Sequence, residues 1–481
     1  VLLAGLLPAA PAAAVEIIPS LSLTGVYSDN ITIAPQGLEE DDVIGIVQPG
    51  IRINADSSRY QFVLDYQLQG IFYGDQEDAD EAFSIGQANL KLEVLPERFT
   101  LTGDARISQI VVDPQARVPN SNLPVIGNRQ DVAALRLVPE WQERILGNDL
   151  VVQATVGQIL FSDDGLQDLS FVELRNSYAT PEQDRGLSFR LRHEYQNYDY
   201  DVVEIKRQLA ELALFLELGG GWAPFVAGGI ESDFATPTDA TMDVGTWQAG
   251  LRRNTERSRI ELSFGERSFG SNLRVLLERT LGDDSGDFIR VSYAENPRTV
   301  EELAAVTVPP TAGGTPPQTD PGLPPDLPPE LFPPGTGDTF LQRRSEIAAG
   351  WSFNRLDVRF TLFDQDNDRI TAGSSPDALN QQNNQTGGTV VASYSLGQRF
   401  RVFGNLRIAD RTFESAGVTT SADTLTTGRL GVSYDLGART TISGWVGTQR
   451  RTNVEDDGAP DPELLGFEEN QIALSVARTF L

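Results

Sequence analysis

"RYQFVLDYQLQGIFYGD", residues 59–75, alternates in character along its whole length. Phe62, Leu64, Tyr66, Leu68, Gly70 and Phe72 fall on one face of an extended strand, and Gln61, Asp65, Gln67 and Gln69 on the other. Period-2 patterning shows only that the two faces meet different solvents, so a half-buried strand of a soluble sandwich would satisfy it too. The length of the alternation is what sets it apart.

The same pattern recurs to the end of the chain. "SLSLTGVYSDN" (20–30) places Leu21, Leu23, Gly25 and Tyr27 together, and "VIGIVQPGIRINAD" (43–56) is a weaker neighbour. "IGQANLKLEVLPER" (85–98) sets Ala88, Leu90, Leu92 and Val94 against Gln87, Asn89, Lys91 and Glu93 before a tight turn. "FTLTGDARISQIV" (99–111) returns with Phe99, Leu101, Gly103, Ala105 and Ile107 opposite Thr100, Thr102, Asp104, Arg106 and Ser108. If the apolar face meets lipid, an arginine on that face near the midplane would cost about 2–4 kcal/mol. Asp104 and Arg106 are therefore expected inside a lumen.

Composition narrows the class. The 481 residues include no cysteine, one methionine, one histidine and a formal charge of -30. Without cysteine there is no disulfide framework, thiol nucleophile or iron–sulfur site. Mean hydropathy is -0.24, and after Val15 no apolar run reaches the ~18 residues of a spanning helix. A hydropathy scan would miss a transmembrane barrel, whose ~10-residue alternating segments carry a weak signal. The negative charge argues against nucleic acid, which needs a basic groove. The opening "VLLAGLLPAAPAAAVEI" reads as the apolar part of a secretory signal peptide, with Ala12-x-Ala14 as the cleavage signal, so 1–14 is expected to be removed.

Connections alternate in kind. Short turns are expected near Ser57, Pro96, Leu146, Gln183, Gly220, Thr255, Gly282, Asn354, Gln398 and Gly437. Longer polar loops fall between them, at 30–42, 74–82, 112–130, 163–167, 200–204, 234–243, 297–339, 370–385, 414–423 and 452–468, with a short exception at 268–271. Outer-membrane barrels have short periplasmic turns and long outer loops. The expected fold is all-β: one transmembrane antiparallel up-and-down barrel over 15–481, of about 22 strands (range about 18–22), with periplasmic termini. The outer loop at 297–339 contains the Pro-rich stretch 308–338, which reads as extended polyproline II-like chain.

Candidate site residues follow from this geometry. Asp65, Gln67, Asp104, Arg106, Arg190, Arg192 and Glu194 are expected to line a wet lumen of mixed sign, where charge sets selectivity. His193 shares the apolar register of Leu187, Phe189, Leu191 and Tyr195 near a strand end, which suits an interfacial histidine better than a catalytic one. Acidic runs at Glu39–Asp42, Asp163-Asp164, Asp283-Asp284 and Asp456-Asp457 read as solvated charge, with Ca²⁺ or lipopolysaccharide bridging as the alternative. "DQDNDR" (364–369) lacks the glycine and distal glutamate of a calcium loop. No metal or cofactor is expected. Tyr27, Phe72, Tyr73, Phe161, Tyr195, Tyr198, Trp222, Phe225 and Trp445 are expected at the lipid–water boundary. Ile472, Leu474, Val476 and Phe480 in "NQIALSVARTFL" resemble the C-terminal signal read by the barrel-assembly machinery, with Arg478 departing from the pattern and Leu481 following the aromatic residue.

Residues 247–296, "WQAGLRRNTERSRIELSFGERSFGSNLRVLLERTLGDDSGDFIRVSYAEN", resemble the outer-membrane β-barrel proteins associated with PEP-CTERM/exosortase systems, related to the exopolysaccharide-locus barrels called beta-barrel porin 2. Trp247, Gly250, Leu251, Gly265, Arg267, Phe269, Gly270, Ser292, Tyr293 and Glu295 carry the likeness, with "SLTGVYSDNI" and "PGIRI" near the start. Ser268 stands where a second aromatic residue is expected. The resemblance implies a Gram-negative barrel tied to exopolysaccharide.

The expected function is a passive outer-membrane pore for exopolysaccharide export or PEP-CTERM surface sorting, not an enzyme. The partners expected are outer-membrane lipid and lipopolysaccharide, the barrel-assembly machinery, and exopolysaccharide or its export proteins. Three rivals are a structural sleeve around a periplasmic or lipoprotein partner, a TonB-dependent transporter, and an outer-membrane hydrolase. The second would need a plug domain, for which a first strand near Ile17 leaves no room; the third would depend on His193.

Overall fold

A computed structural model describes residues 15–111, 123–125, 129–162, 168–181, 183–200, 204–232, 242–282, 287–299, 339–369, 381–415, 418–456 and 466–480. Its 22 strands run in chain order. The first eight are β1 Val15–Ser28, β2 Asp42–Asp56, β3 Tyr60–Tyr73, β4 Glu81–Leu95, β5 Phe99–Val111, β6 Arg129–Ile145, β7 Asn148–Phe161 and β8 Leu169–Ala179. Next come β9 Arg185–Tyr200, β10 Glu204–Leu218, β11 Trp222–Ser232, β12 Met242–Thr255, β13 Ser258–Arg267, β14 Gly270–Leu281 and β15 Asp287–Thr299. The remainder are β16 Thr339–Phe353, β17 Leu356–Arg369, β18 Gln381–Leu396, β19 Phe400–Ser415, β20 Val418–Gly437, β21 Thr440–Asp456 and β22 Phe467–Thr479.

Each strand pairs antiparallel with its sequence neighbours, and β1 pairs β22 from Ser20↔Thr479 to Ser28↔Gln471. That last pairing closes the sheet, so no edge is left to recruit another chain. One helical turn, Glu77–Ala79, is described, and no helix among the described residues is long and apolar enough to cross a membrane.

The outer surface is apolar. Along β10, Leu212, Leu214, Leu216 and Leu218 all point outward, while Arg207, Leu209, Glu211 and Ala213 alternate with them inward. On β3, Leu68 is 42% exposed and Phe72 50% exposed, whereas Gln69 is 1% exposed. A soluble protein would not present such a belt to water. In a closed barrel every ladder group is satisfied and the belt meets lipid, so the chain spans a bilayer. The architecture places it in the bacterial outer membrane.

Short turns lie at one end, with the termini, and the longer connections at the other. Leu146 (φ 52°) and Gly147 (φ 82°) form a two-residue turn in the left-handed conformation that matches strand twist. The connection expected at 414–423 is shorter than that. Strand pairing of β19 with β20 continues through Ser415↔Val418, because "VTTSADTLTT" supplies β-branched residues and an inward Asp423 that two arginines hold. The connection at 200–204 likewise narrows to 201–203. Residues 1–14, the Pro-rich 308–338, Asp163-Asp164, Asp283-Asp284 and the terminal Leu481 lie outside the described residues.

Aromatic residues do not all sit at the boundary with lipid. Tyr27 and Phe72 face outward, but Tyr73, Tyr198 and Trp445 are 4%, 2% and 3% exposed on the inward face. Phe161 packs inward as well, and Phe225 stacks on Phe215 at 5.4 Å inside. Inward rings recur opposite glycine on the next strand: Phe171↔Gly157, Phe225↔Gly250, Phe288↔Gly350, Phe363↔Gly387 and Phe403↔Gly431. A β-carbon at each of these glycines would collide with the facing ring. The ring therefore lies flat across the bare backbone of its neighbour.

Candidate functional site in the barrel lumen

Alternation sends every second side chain inward, so the lumen is the one compartment where polar groups from all strands meet. On the wall from β2 to β9 opposite charges face one another in register. Arg52 on β2 donates to Asp65 on β3 at 3.1 Å, and Gln48 bonds Gln67 beside them. Arg136 Nε donates to Asp104 at 2.8 Å, with Arg106 inward on the same strand as Asp104. Arg175 and Arg192 both form ion pairs with Glu194, at 3.7 and 2.6 Å. Arg190 lies over the Phe215 ring at 5.4 Å. The register thus turns Asp65, Gln67, Asp104, Arg106, Arg190, Arg192 and Glu194 toward the interior, in separate clusters along this wall rather than one ring.

His193 is on the outward face but at mid-strand, not near an end, with its Nδ1 3.2 Å from Asn176 Nδ2 on β8. Neighbouring strands pair polar groups there to spare both the cost of lipid exposure. The acidic run at 39–42 is used for backbone structure. Asp42 Oδ1 accepts from the amides of Val43, Gly74 and Asp75, and Glu39 accepts from the amide of Gly37. Among the described residues no three carboxylate or histidine groups converge as a metal site.

Two features escaped the sequence reading. Glu231, with 1% of its side chain exposed, accepts from Arg267 Nε at 3.0 Å and from the amide of Ser268. This carboxylate fastens the tight β13–β14 connection, and Arg267 also stacks over Phe269 at 5.3 Å. Thus Arg267, Phe269 and Gly270 form a local structural lock, while Gly265 faces inward and Trp247 and Tyr293 face outward. Trp247 packs edge-on against Phe264 at 5.8 Å. Phe480 follows β22 and its amide bonds the carbonyl of Pro19 at 2.8 Å.

The second is the connection after β1, which folds into the outer mouth. Ile31 and Ile33 are fully buried. Ile31 joins Ile44, Ile71, Tyr73, Phe83 and Leu123 on one side, and Ile33 packs with Leu425 and Phe467 on the other. Asn30 pins the fold by donating to the carbonyls of Ala34 and Glu468, both at 2.8 Å. Tyr73 Oη donates to the carbonyl of Leu123 at 2.8 Å. The outer mouth is therefore narrowed by an apolar knot.

Two residues from Leu425 on the same strand, Asp423 accepts from Arg411 at 2.6 and 2.7 Å and from Arg451 at 2.8 Å, all with side chains at most 1% exposed. At the opposite end a recess of about 550 Å³ opens among β1–β3 and β18–β22, with Ser22, Gln48, Gln67, Arg401, Ser433 and Asp435 in its walls.

No family model and no curated protein matches the chain. Among solved structures it is similar to the siderophore receptor PirA of Pseudomonas aeruginosa (10% identity, 98% of this chain and 81% of that one, TM-score 0.40). A BenF-like porin from Pseudomonas fluorescens Pf-5 gives 11% identity over 97% of this chain and 99% of that one, TM-score 0.36. OpdK of Pseudomonas aeruginosa, solved with vanillate, gives 10% identity over 97% and 98%, TM-score 0.36.

Proposed function

We propose that this chain is a passive pore of the outer membrane, serving exopolysaccharide export or a PEP-CTERM surface-sorting system. The observation that carries the pore reading is the closed barrel whose inward face carries charged and polar pairs on strands from β2 to β21. The exopolysaccharide association is supported by the sequence resemblance centred on residues 247–296. On this reading the partners are lipid and lipopolysaccharide around the belt, the barrel-assembly machinery at Phe480, and exopolysaccharide or its export proteins at the mouths. No catalysis is assigned, since the one histidine faces away from the lumen.

A second reading, a sleeve around a periplasmic or lipoprotein partner, is favoured by the knot of Ile31 and Ile33 across the outer mouth. Single-channel recording of the refolded barrel, with and without residues 308–338, separates the two. Steady current in the full-length protein supports the pore. Current only after the deletion makes that segment a gate, and silence in both favours the sleeve.

A further inference from the structure

His193 on β9 and Asn176 on β8 stand side by side on the lipid-facing surface. The cross-strand row that holds them runs Val152, Asn176, His193, Ala210 and Ile230, from β7 to β11. Val152 and Ile230, at its two ends, are exposed and apolar. On β8 and β9 themselves, Leu174 and Tyr195 come one step nearer the outer mouth, and Tyr178 and Leu191 one step nearer the short turns. The pair is therefore framed on every side by the apolar belt. Water offers no partner at that depth.

Asn176 Nδ2 lies 3.2 Å from His193 Nδ1. With the amide donating, Nδ1 is the acceptor and the imidazole proton is carried on Nε2. The bond spares one polar atom on each side chain and leaves another. His193 Nε2 and Asn176 Oδ1 have no hydrogen-bond partner among the described residues. Turning the amide over exchanges their roles and leaves the same complement, one donor and one acceptor. An acyl chain can satisfy neither, and a bare polar atom in hydrocarbon is costly. Polar side chains so placed join membrane-embedded elements to one another.

A donor beside an acceptor, in a row that carries no charged side chain, is complementary to itself. A two-fold axis running along the barrel sets His193 of one copy against Asn176 of the other, and Asn176 against His193, so that all four open atoms are paired. Both copies then enter the membrane the same way up. Cross-strand neighbours lie at nearly one depth, which lets the reciprocal bonds form together. Ala210, directly beside His193, is small and allows the two walls to approach.

We infer that two copies of this chain associate in the membrane across the β8–β10 wall, through reciprocal hydrogen bonds between His193 and Asn176. The contact joins faces, so it needs none of the backbone groups that the closed sheet already uses. It does not depend on whether the lumen conducts, and neither measurement below reads conductance.

Because the chain has no cysteine, a single introduced thiol reports a single position. Leu191→Cys lies next to the pair, and Leu430→Cys lies exposed on β20, on the opposite wall. Each is refolded into lipid vesicles at low protein-to-lipid ratio and oxidised. Disulfide-linked dimer is expected from Leu191→Cys at no less than ten times the yield from Leu430→Cys. Equal yields, or no dimer from either, overturn the inference. Adding His193→Leu/Asn176→Leu to the Leu191→Cys chain should leave refolding intact, since two leucines suit lipid, and cut the dimer at least fivefold. Undiminished crosslinking overturns the inference, and so does failure of that variant to refold, which would make the pair an internal brace.

The second measurement counts copies directly. Leu430→Cys carrying one dye, in the same vesicles, should bleach in two steps, and in one step when His193→Leu/Asn176→Leu is added. One step or three steps without those substitutions overturn the two-fold contact.

Discussion

Ser28 Oγ, at the outer end of the first strand, donates a 2.7 Å hydrogen bond to Glu469 Oε1 on the last. The two residues are 441 positions apart and both are buried, so the seam of the barrel is joined by side chains as well as by backbone pairing. Gln471 Nε2 adds a second donor at 2.8 Å.

Glu469→Ala removes the acceptor from both donors. Leaving buried partners unsatisfied costs about 1–3 kcal/mol, so the urea midpoint followed by tryptophan fluorescence should fall. Glu469→Gln, which keeps an acceptor oxygen, should lose less. Equal losses would mean that the seam depends on the charge rather than on the hydrogen bonds.

Leu68 and Gln67 are adjacent on β3 but face opposite solvents. Leu68→Arg places a cation against lipid at a cost of about 2–4 kcal/mol and should depress refolding yield, read as heat-modifiable migration in gels. Gln67→Arg should refold normally and change conductance. Similar yields for the pair would overturn the assignment of inside and outside.

Asp423 holds two buried arginines. Asp423→Asn strips that charge from both, with an expected loss of about 3–5 kcal/mol for an uncompensated buried ion. Replacing the whole triad, Arg411→Met/Asp423→Leu/Arg451→Met, should recover much of the stability in the same urea assay. A triple variant as unstable as the single one would show that this site needs polar groups.

The knot at the outer mouth depends on two isoleucines. Ile31→Asp/Ile33→Asp should expel the connection from the mouth and raise single-channel conductance at least twofold. The barrel itself should stay folded, because its ladder pairing does not include these residues. Unchanged conductance would place the narrowest point elsewhere.

How far these features could be read from the chain depends on how local their causes are. Strand parity was legible because most of the short turns carry a glycine, proline or asparagine, and because an arginine such as Arg106 has only one affordable side in lipid. The knot was not, since "ITIA" is too short to show a period, and its partners Leu425 and Phe467 are distant in sequence. The inward turn of Tyr73 and Trp445 was missed because a strand end with apolar residues on both faces does not say which face meets lipid. Glu231 gave no signal of its own: its partner Arg267 is 36 positions away.

The flat rings have a consequence for the electrostatics of the lumen. Phe363 can lie across Gly387 only because that residue has no side chain, and Arg407 lies 5.0 Å from the centre of the same ring. The position of a cation is thus set two layers down, by an atom that is missing. A larger residue at Gly387 would tip the ring and swing the guanidinium with it, altering the field inside the barrel while every charged residue in the chain stayed the same.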